Sequence, residues 1–280
     1  EMGVEHFAKF LLVATDRNRT SPFAFTGNKF EFRMLGSNQS IAGPNITINT
    51  IVADVLKDYA DILEKADDFN VALDELLQKS VSKSKNVVFN GNNYSDEWVA
   101  EAARRGLPNL KTTPEALAEY TSEKNVKLFE RHNIFTPAEM DSRYEIHLED
   151  YNKTINIEAL TMLNLAKREI SPAVVTYTKE VVDTLVAKKS CGSTIDVSAE
   201  TTLSERLSAL FGSFIKAIDA LEETLAEARN CESAQAQANY SCEKIIPAME
   251  TLRVAADSLE EIVAEKYWPF PTYEDILFYV

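Results

Sequence analysis

Pro22-Phe23-Ala24-Phe25-Thr26-Gly27-Asn28-Lys29-Phe30-Glu31-Phe32-Arg33-Met34 reads as a pair of short strands in a chain whose remainder reads as helix. Two alternating runs around the loop Thr26-Gly27-Asn28 form a hairpin pattern. Period two places Phe30, Phe32 and Met34 on one face of the second run and Lys29, Glu31 and Arg33 on the other. The surrounding composition agrees, because residues 1–50 hold four of the eight glycines.

From about Asn45 the periodicity changes. Ile48, Ile51, Val52, Val55, Leu56, Tyr59, Ile62 and Leu63 recur at steps of three and four, which is one apolar face of a helix. Phe69, Leu73, Leu76 and Leu77 begin another. Asn90-Gly91-Asn92-Asn93 interrupts the pattern, Ser95 can cap the next helix, and Gly106 with Pro108 can stop it. Thr113-Pro114 and Thr136-Pro137-Ala138-Glu139 are helix starts with Thr as N-cap and Pro in the first turn; the second also has the Glu of a capping box.

The last third predicts a long helical hairpin. Leu203, Leu207, Leu210, Phe214, Leu221 and Leu225 line one arm, and Met249, Leu252, Ala256, Leu259 and Val263 the other. Asn230 to Ser233 is the reversal, and Pro247 should kink the returning arm. Pairing within the chain is a simpler use of these stripes than an oligomer interface. Tyr267-Trp268-Pro269-Phe270-Pro271-Thr272-Tyr273 cannot remain helical, and its rings should pack onto the helices. The expected fold class is therefore α+β, predominantly α. Its expected organisation is an unmatched leader at 1–14, a strand-and-turn segment at 15–45 and a helical region at 46–280.

Charge separates the same regions. Residues 1–50 carry five Lys/Arg against four Asp/Glu, whereas residues 51–280 carry 24 against 40, for a net charge of −15. So acidic a surface repels phosphate backbones, which argues against nucleic-acid binding. No apolar run approaches the roughly 18 residues of a membrane helix, so no membrane partner is expected. Cys191, Cys231 and Cys242 form no CxxC pair, and their sparseness suits a reducing cytoplasm. The start at Glu1 offers no secretory signal.

The opening segment concentrates the groups suited to anion chemistry: Asp16-Arg17-Asn18-Arg19-Thr20, then Lys29, Glu31 and Arg33. Arginine's planar fork binds two oxygens of a phosphate or carboxylate at once. A carboxylate two residues away on the same strand face can hold Mg²⁺ or Mn²⁺ beside it. That layout suits phosphoryl transfer, which depends on positioning and on neutralising developing charge. From the pattern alone, a solvated face with a cross-strand ion pair worth under about 1 kcal/mol is the commoner outcome.

The run Asn18-Arg19-Thr20-Ser21-Pro22 through Arg33-Met34-Leu35-Gly36-Ser37 closely resembles the C-terminal catalytic segment of type III glutamine synthetase. The likeness continues through Ser40-Ile41-Ala42-Gly43-Pro44-Asn45, Phe89-Asn90-Gly91-Asn92, Tyr94-Ser95-Asp96-Glu97-Trp98 and Asn156-Ile157-Glu158-Ala159-Leu160-Thr161-Met162. It ends with Glu265-Lys266-Tyr267-Trp268-Pro269-Phe270-Pro271-Thr272-Tyr273. The resemblance implies an ATP-dependent ligase that phosphorylates the side-chain carboxylate of glutamate and lets ammonia displace the phosphate. It also implies Mg²⁺ or Mn²⁺, and a ring-shaped homo-oligomer, a dodecamer. By the same resemblance Glu31 is a metal ligand, Arg33 meets the glutamate carboxylate and the transferred phosphoryl oxygens, and Arg19 neutralises the ATP phosphates.

Two departures accompany the likeness. Better-known types carry a second arginine five residues after the first, where this chain has Ala24; Lys29 and Arg17 are the nearby cations. Residues 1–14 have no expected counterpart. The family's other metal-binding glutamates and its histidine precede this segment. His132 and His147 are expected on helices and are more simply surface or core-edge residues than ligands. One carboxylate cannot hold two cations, so the chain alone is expected to be inactive. The competing expectations are a helical assembly or regulatory module that keeps the hairpin as scaffold, and a related amide ligase with another substrate.

Overall fold

The computed structural model describes residues 23–25, 30–32, 36, 39–87, 95–192 and 194–278. In chain order they form strands β1 (Phe23–Phe25) and β2 (Phe30–Phe32), then helices α1 (Ala42–Leu63), α2 (Phe69–Ser84), α3 (Asp96–Arg104), α4 (Thr113–Ala118) and α5 (Glu123–Arg131). These are followed by α6 (Pro137–Leu165), α7 (Ser171–Cys191), α8 (Ser198–Ala228), α9 (Ala234–Tyr240), α10 (Ile246–Glu260) and the short α11 (Tyr273–Leu277). The protein is predominantly helical. It divides into two compact units, residues 1–110 with 123–136, and residues 111–122 with 137–280.

In the first unit β1 and β2 pair antiparallel, with Phe23 opposite Phe32, Ala24 opposite Glu31 and Phe25 opposite Phe30. The break expected at 90–93 lies outside the described residues. α1 starts earlier than the apolar periodicity suggests, at Ala42. Pro44 is tolerated there because first-turn N–H groups have no intrahelical acceptor. α2 is capped by Asp68, whose carboxylate accepts from the N–H groups of Asn70 and Val71. The Tyr59 hydroxyl donates to Ser80 Oγ at 2.8 Å, joining α1 to α2. α3 ends as its sequence requires: Gly106 takes φ +75, and Leu107 and Gly106 donate back to the carbonyls of Ala102 and Ala103.

The second unit holds the larger core. Leu207, Phe214, Leu221 and Leu225 of α8 meet Leu252 and Leu259 of α10, while Val174 and Val181 of α7 close the cluster from another side. Leu207, Phe214, Leu221 and Leu259 are wholly shielded from solvent, and each such side chain contributes about 1.5–3 kcal/mol through burial. The reversal falls where the sequence puts it, with Ser233 accepting from the N–H of Ala236 to start α9.

Pro247 acts through a wide π turn, Ser241–Ile245, rather than a simple bend. A second π turn, Ala166–Ile170, precedes Pro172. In both places a proline that cannot donate is absorbed by one turn of looser winding. The α4 start also differs by one residue from expectation. Thr112, not Thr113, is the N-cap, and it completes a capping box with Glu115. Thr112 alone has the extended backbone a cap needs.

Candidate functional site

Glu31 lies in β2, paired in register with Ala24 of β1. The position at which the expected second arginine is replaced by alanine is therefore Glu31's own cross-strand neighbour. Arg19 and Arg33 lie outside the described residues, as do Arg17, Lys29 and the leader at 1–14.

Gly36 has φ +118, a conformation side-chain-bearing residues rarely adopt, and its carbonyl accepts from the N–H of Gln39 at 2.9 Å. Ser40 Oγ then accepts from the N–H of Ala42 at 3.2 Å, and α1 follows.

α1 buries little of its apolar stripe. Thr50 is its buried residue, whereas Ile51, Val52, Val55, Leu56 and Ile62 are 42–60% exposed. Besides the Tyr59–Ser80 bond, its acidic side chains are engaged within the unit. Arg131 of α5 donates to Asp54 at 2.8 Å and to Asp58 at 2.6 Å. His132 Nε2 lies 2.9 Å from the same Asp54 oxygen. The Arg131 hydrogen bond holds the Asp58 carboxyl below its ordinary range. The stripe expected to be core is largely surface, and the acidic face meets α5.

His132 sits just beyond the end of α5 rather than on it, and its neighbours form an ion-pair knot. His147 is exposed on α6 and meets Tyr120 edge-on at 5.7 Å. Among the described residues no group of three or more His, Cys, Asp or Glu is placed to hold a metal ion. The knot had no local signal in the sequence, since Asp54 and Arg131 are 77 residues apart.

Elsewhere, Glu101 is held down to about 2 by hydrogen bonds from Arg104 and then Arg105. Arg105 also lies over the Trp98 ring, 5.5 Å from its centroid. Desolvation raises the Tyr151 hydroxyl to about 12. The Glu101 pairs lie within α3 and its C-terminal cap, and Arg105 also donates to the carbonyl of Asn86 at 3.2 Å. No helix among the described residues is long and apolar enough to cross a membrane.

Residues 72–189 match the glutamine synthetase C-terminal domain. Over 285 aligned residues and 99% of its length the chain is 39% identical to the type-3 glutamine synthetase of Dictyostelium discoideum. It is 39% identical over 94% of its length to a glutamine synthetase of Butyrivibrio fibrisolvens, and 33% identical over 99% to one of Bacteroides fragilis. The chain spans about 39% of the length of these relatives. It carries a glutamine synthetase C-terminal domain and is related to glutamine synthetases along nearly its whole length.

Proposed function

We propose that this chain, related along nearly its whole length to glutamine synthetases, supplies the C-terminal part of a glutamate–ammonia ligase. In that reaction the side-chain carboxylate of glutamate attacks the γ-phosphorus of ATP and ADP departs. Ammonia then attacks the glutamyl phosphate carbonyl, and phosphate and a proton leave. Arg19 neutralises the triphosphate, and Arg33 holds the glutamate carboxylate and the phosphoryl oxygens. Glu31 contributes one carboxylate toward Mg²⁺ or Mn²⁺. By the family resemblance the metal's remaining ligands come from the N-terminal part of the full-length enzyme. The strand pair is then the end of a larger catalytic sheet, in a cytoplasmic homo-oligomeric ring.

The observation that carries this reading is the similarity, which runs through the hairpin and the helices alike. The exposed stripe of α1 agrees with it. Ile51, Val52, Val55, Leu56 and Ile62 form a continuous apolar surface next in sequence to the hairpin. The same stripe also favours the second reading, a helical assembly module in which the hairpin has no catalytic part.

Glu31→Ala in the full-length protein separates the two. The ligase reading expects glutamine formation to be abolished with helical content unchanged; near wild-type turnover would refute the assignment of Glu31. The isolated 280 residues are expected to form no glutamine, and detectable turnover by them overturns the shared-site reading.

A further inference from the structure

α6 has 29 residues, about 43 Å of helix. Met140, Leu148, Asn152, Ala159 and Leu163 are its buried residues. The face turned away from Leu148, Asn152 and Ala159 is open. Along it Ile146, Asp150, Lys153, Ile157 and Leu160 follow one another at alternating steps of four and three, which is the heptad spacing of a seam between helices. Ile146 is 60% exposed, Ile157 62% and Leu160 46%, and Asp150 and Lys153 are exposed as well. A lone exposed isoleucine needs no explanation, but an apolar stripe repeated at seam spacing marks a surface shaped for another helix.

The stripe is complementary to itself. Laid antiparallel about a two-fold axis level with the Tyr151–Asn152 bond, it sets Ile146 against Ile157 of the partner subunit and Asp150 against Lys153 of the partner subunit. In such an isologous contact each pairing occurs twice. Two ion pairs then lie at the centre, an isoleucine pair lies on either side of them, and Leu160 extends the apolar contact at both ends. A parallel copy in register would face Asp150 with Asp150 of the partner subunit and Lys153 with Lys153 of the partner subunit, and like charges so placed oppose binding.

Lys153 is already engaged within its own helix, where it donates to Glu149 at 2.8 Å. Both side chains nevertheless stay 60–70% exposed. An ammonium group carries three donors, so Lys153 can reach a carboxylate across the seam while keeping Glu149. The charged pairs fix direction and register, and the isoleucines supply the affinity.

We infer that the open face of α6 is a docking surface for a second copy of this chain, whose α6 lies antiparallel upon it with Asp150 of each copy beside Lys153 of the other. The inference does not rest on the ligase reading, because α6 lies wholly in the second unit and self-association is measured without turnover.

Sedimentation equilibrium of the 280-residue chain tests it. The weight-average mass should rise reversibly with concentration, from that of one chain toward that of two. Ile157→Lys should hold the chain at the mass of one copy with circular dichroism unchanged, since the position faces solvent. Asp150→Lys and Lys153→Asp each set like charges opposite one another and should each weaken association at least about tenfold. Mixed in equal amounts, these two single variants should associate with each other about as tightly as the parent does with itself. The chain carrying both substitutions should likewise regain self-association. A parent that remains a single copy, or single variants that associate as tightly as the parent, overturn the inference. So does a mixture no tighter than either variant alone, and so does a mixture tighter than the parent, which is the signature of a parallel pair.

Discussion

Replacing Leu221 by alanine tests where the stability of the second unit resides. The side chain is wholly shielded on α8, within the cluster that joins α7, α8 and α10. Three carbons are lost, at about 0.8 kcal/mol each for transfer out of water, or about 2.4 kcal/mol. Helices packed on several sides close the resulting hole only in part, so a cavity term brings the expected loss to about 3–4 kcal/mol. For a unit of this size that lowers the unfolding midpoint by roughly 6–15 °C. The chain has two tryptophans, Trp98 in the first unit and Trp268 in the second. Urea and thermal unfolding followed by Trp268 emission in a Trp98→Phe background therefore reads the second unit directly. The matched control is Leu56→Ala on α1, 60% exposed, read by Trp98 in a Trp268→Phe background and expected to cost no more than about 0.5 kcal/mol. A loss below about 1 kcal/mol at Leu221 refutes the packing argument. A loss at Leu56 equal to that at Leu221 shows instead that the α1 stripe is already covered within the chain.

Thr112→Ala removes the side-chain acceptor of the α4 capping box and should cost about 1 kcal/mol in the unfolding followed by Trp268. Thr113→Ala should cost clearly less; the reverse order would place the cap at Thr113. Glu101 has a folded-state value of about 2 against an ordinary 4.5, because Arg104 and Arg105 favour its charged form. Its stabilising effect is therefore complete above pH 4.5 and lost as the pH falls toward 2. Glu101→Gln should accordingly differ from the parent at pH 6, in unfolding followed by Trp98, and converge with it by about pH 2. A difference unchanged between those pH values contradicts the ion-pair account.

How much of the candidate site was legible differs from residue to residue. Phe30, Glu31 and Phe32 alternate in the sequence and lie in a paired strand, because period two follows from backbone geometry alone. Register was not legible, and it is register that sets Ala24 across from Glu31. The apolar stripe of α1 was visible as a stripe, but periodicity tells that a helix has an apolar face and not what covers it. The knot of Asp54, Asp58, Arg131 and His132 joins residues whose separation in sequence carries no pattern.

By itself the amino-acid order determined the helical identity of most of the chain, the reversal before Ser233, the disturbance at Pro247 and the two arms that pack through Leu207, Phe214, Leu221, Leu252 and Leu259. These depend on interactions among neighbours three or four residues apart, or on what proline cannot donate. Only tertiary structure decided the division into two units, with residues 111–122 in one and 123–136 in the other. It alone decided the one-residue shift of the cap to Thr112 and the packing of Tyr267 on Tyr177 of α7. Such features arise where segments distant in sequence compete for the same space and the same hydrogen-bond partners, and no local pattern records which of them prevails.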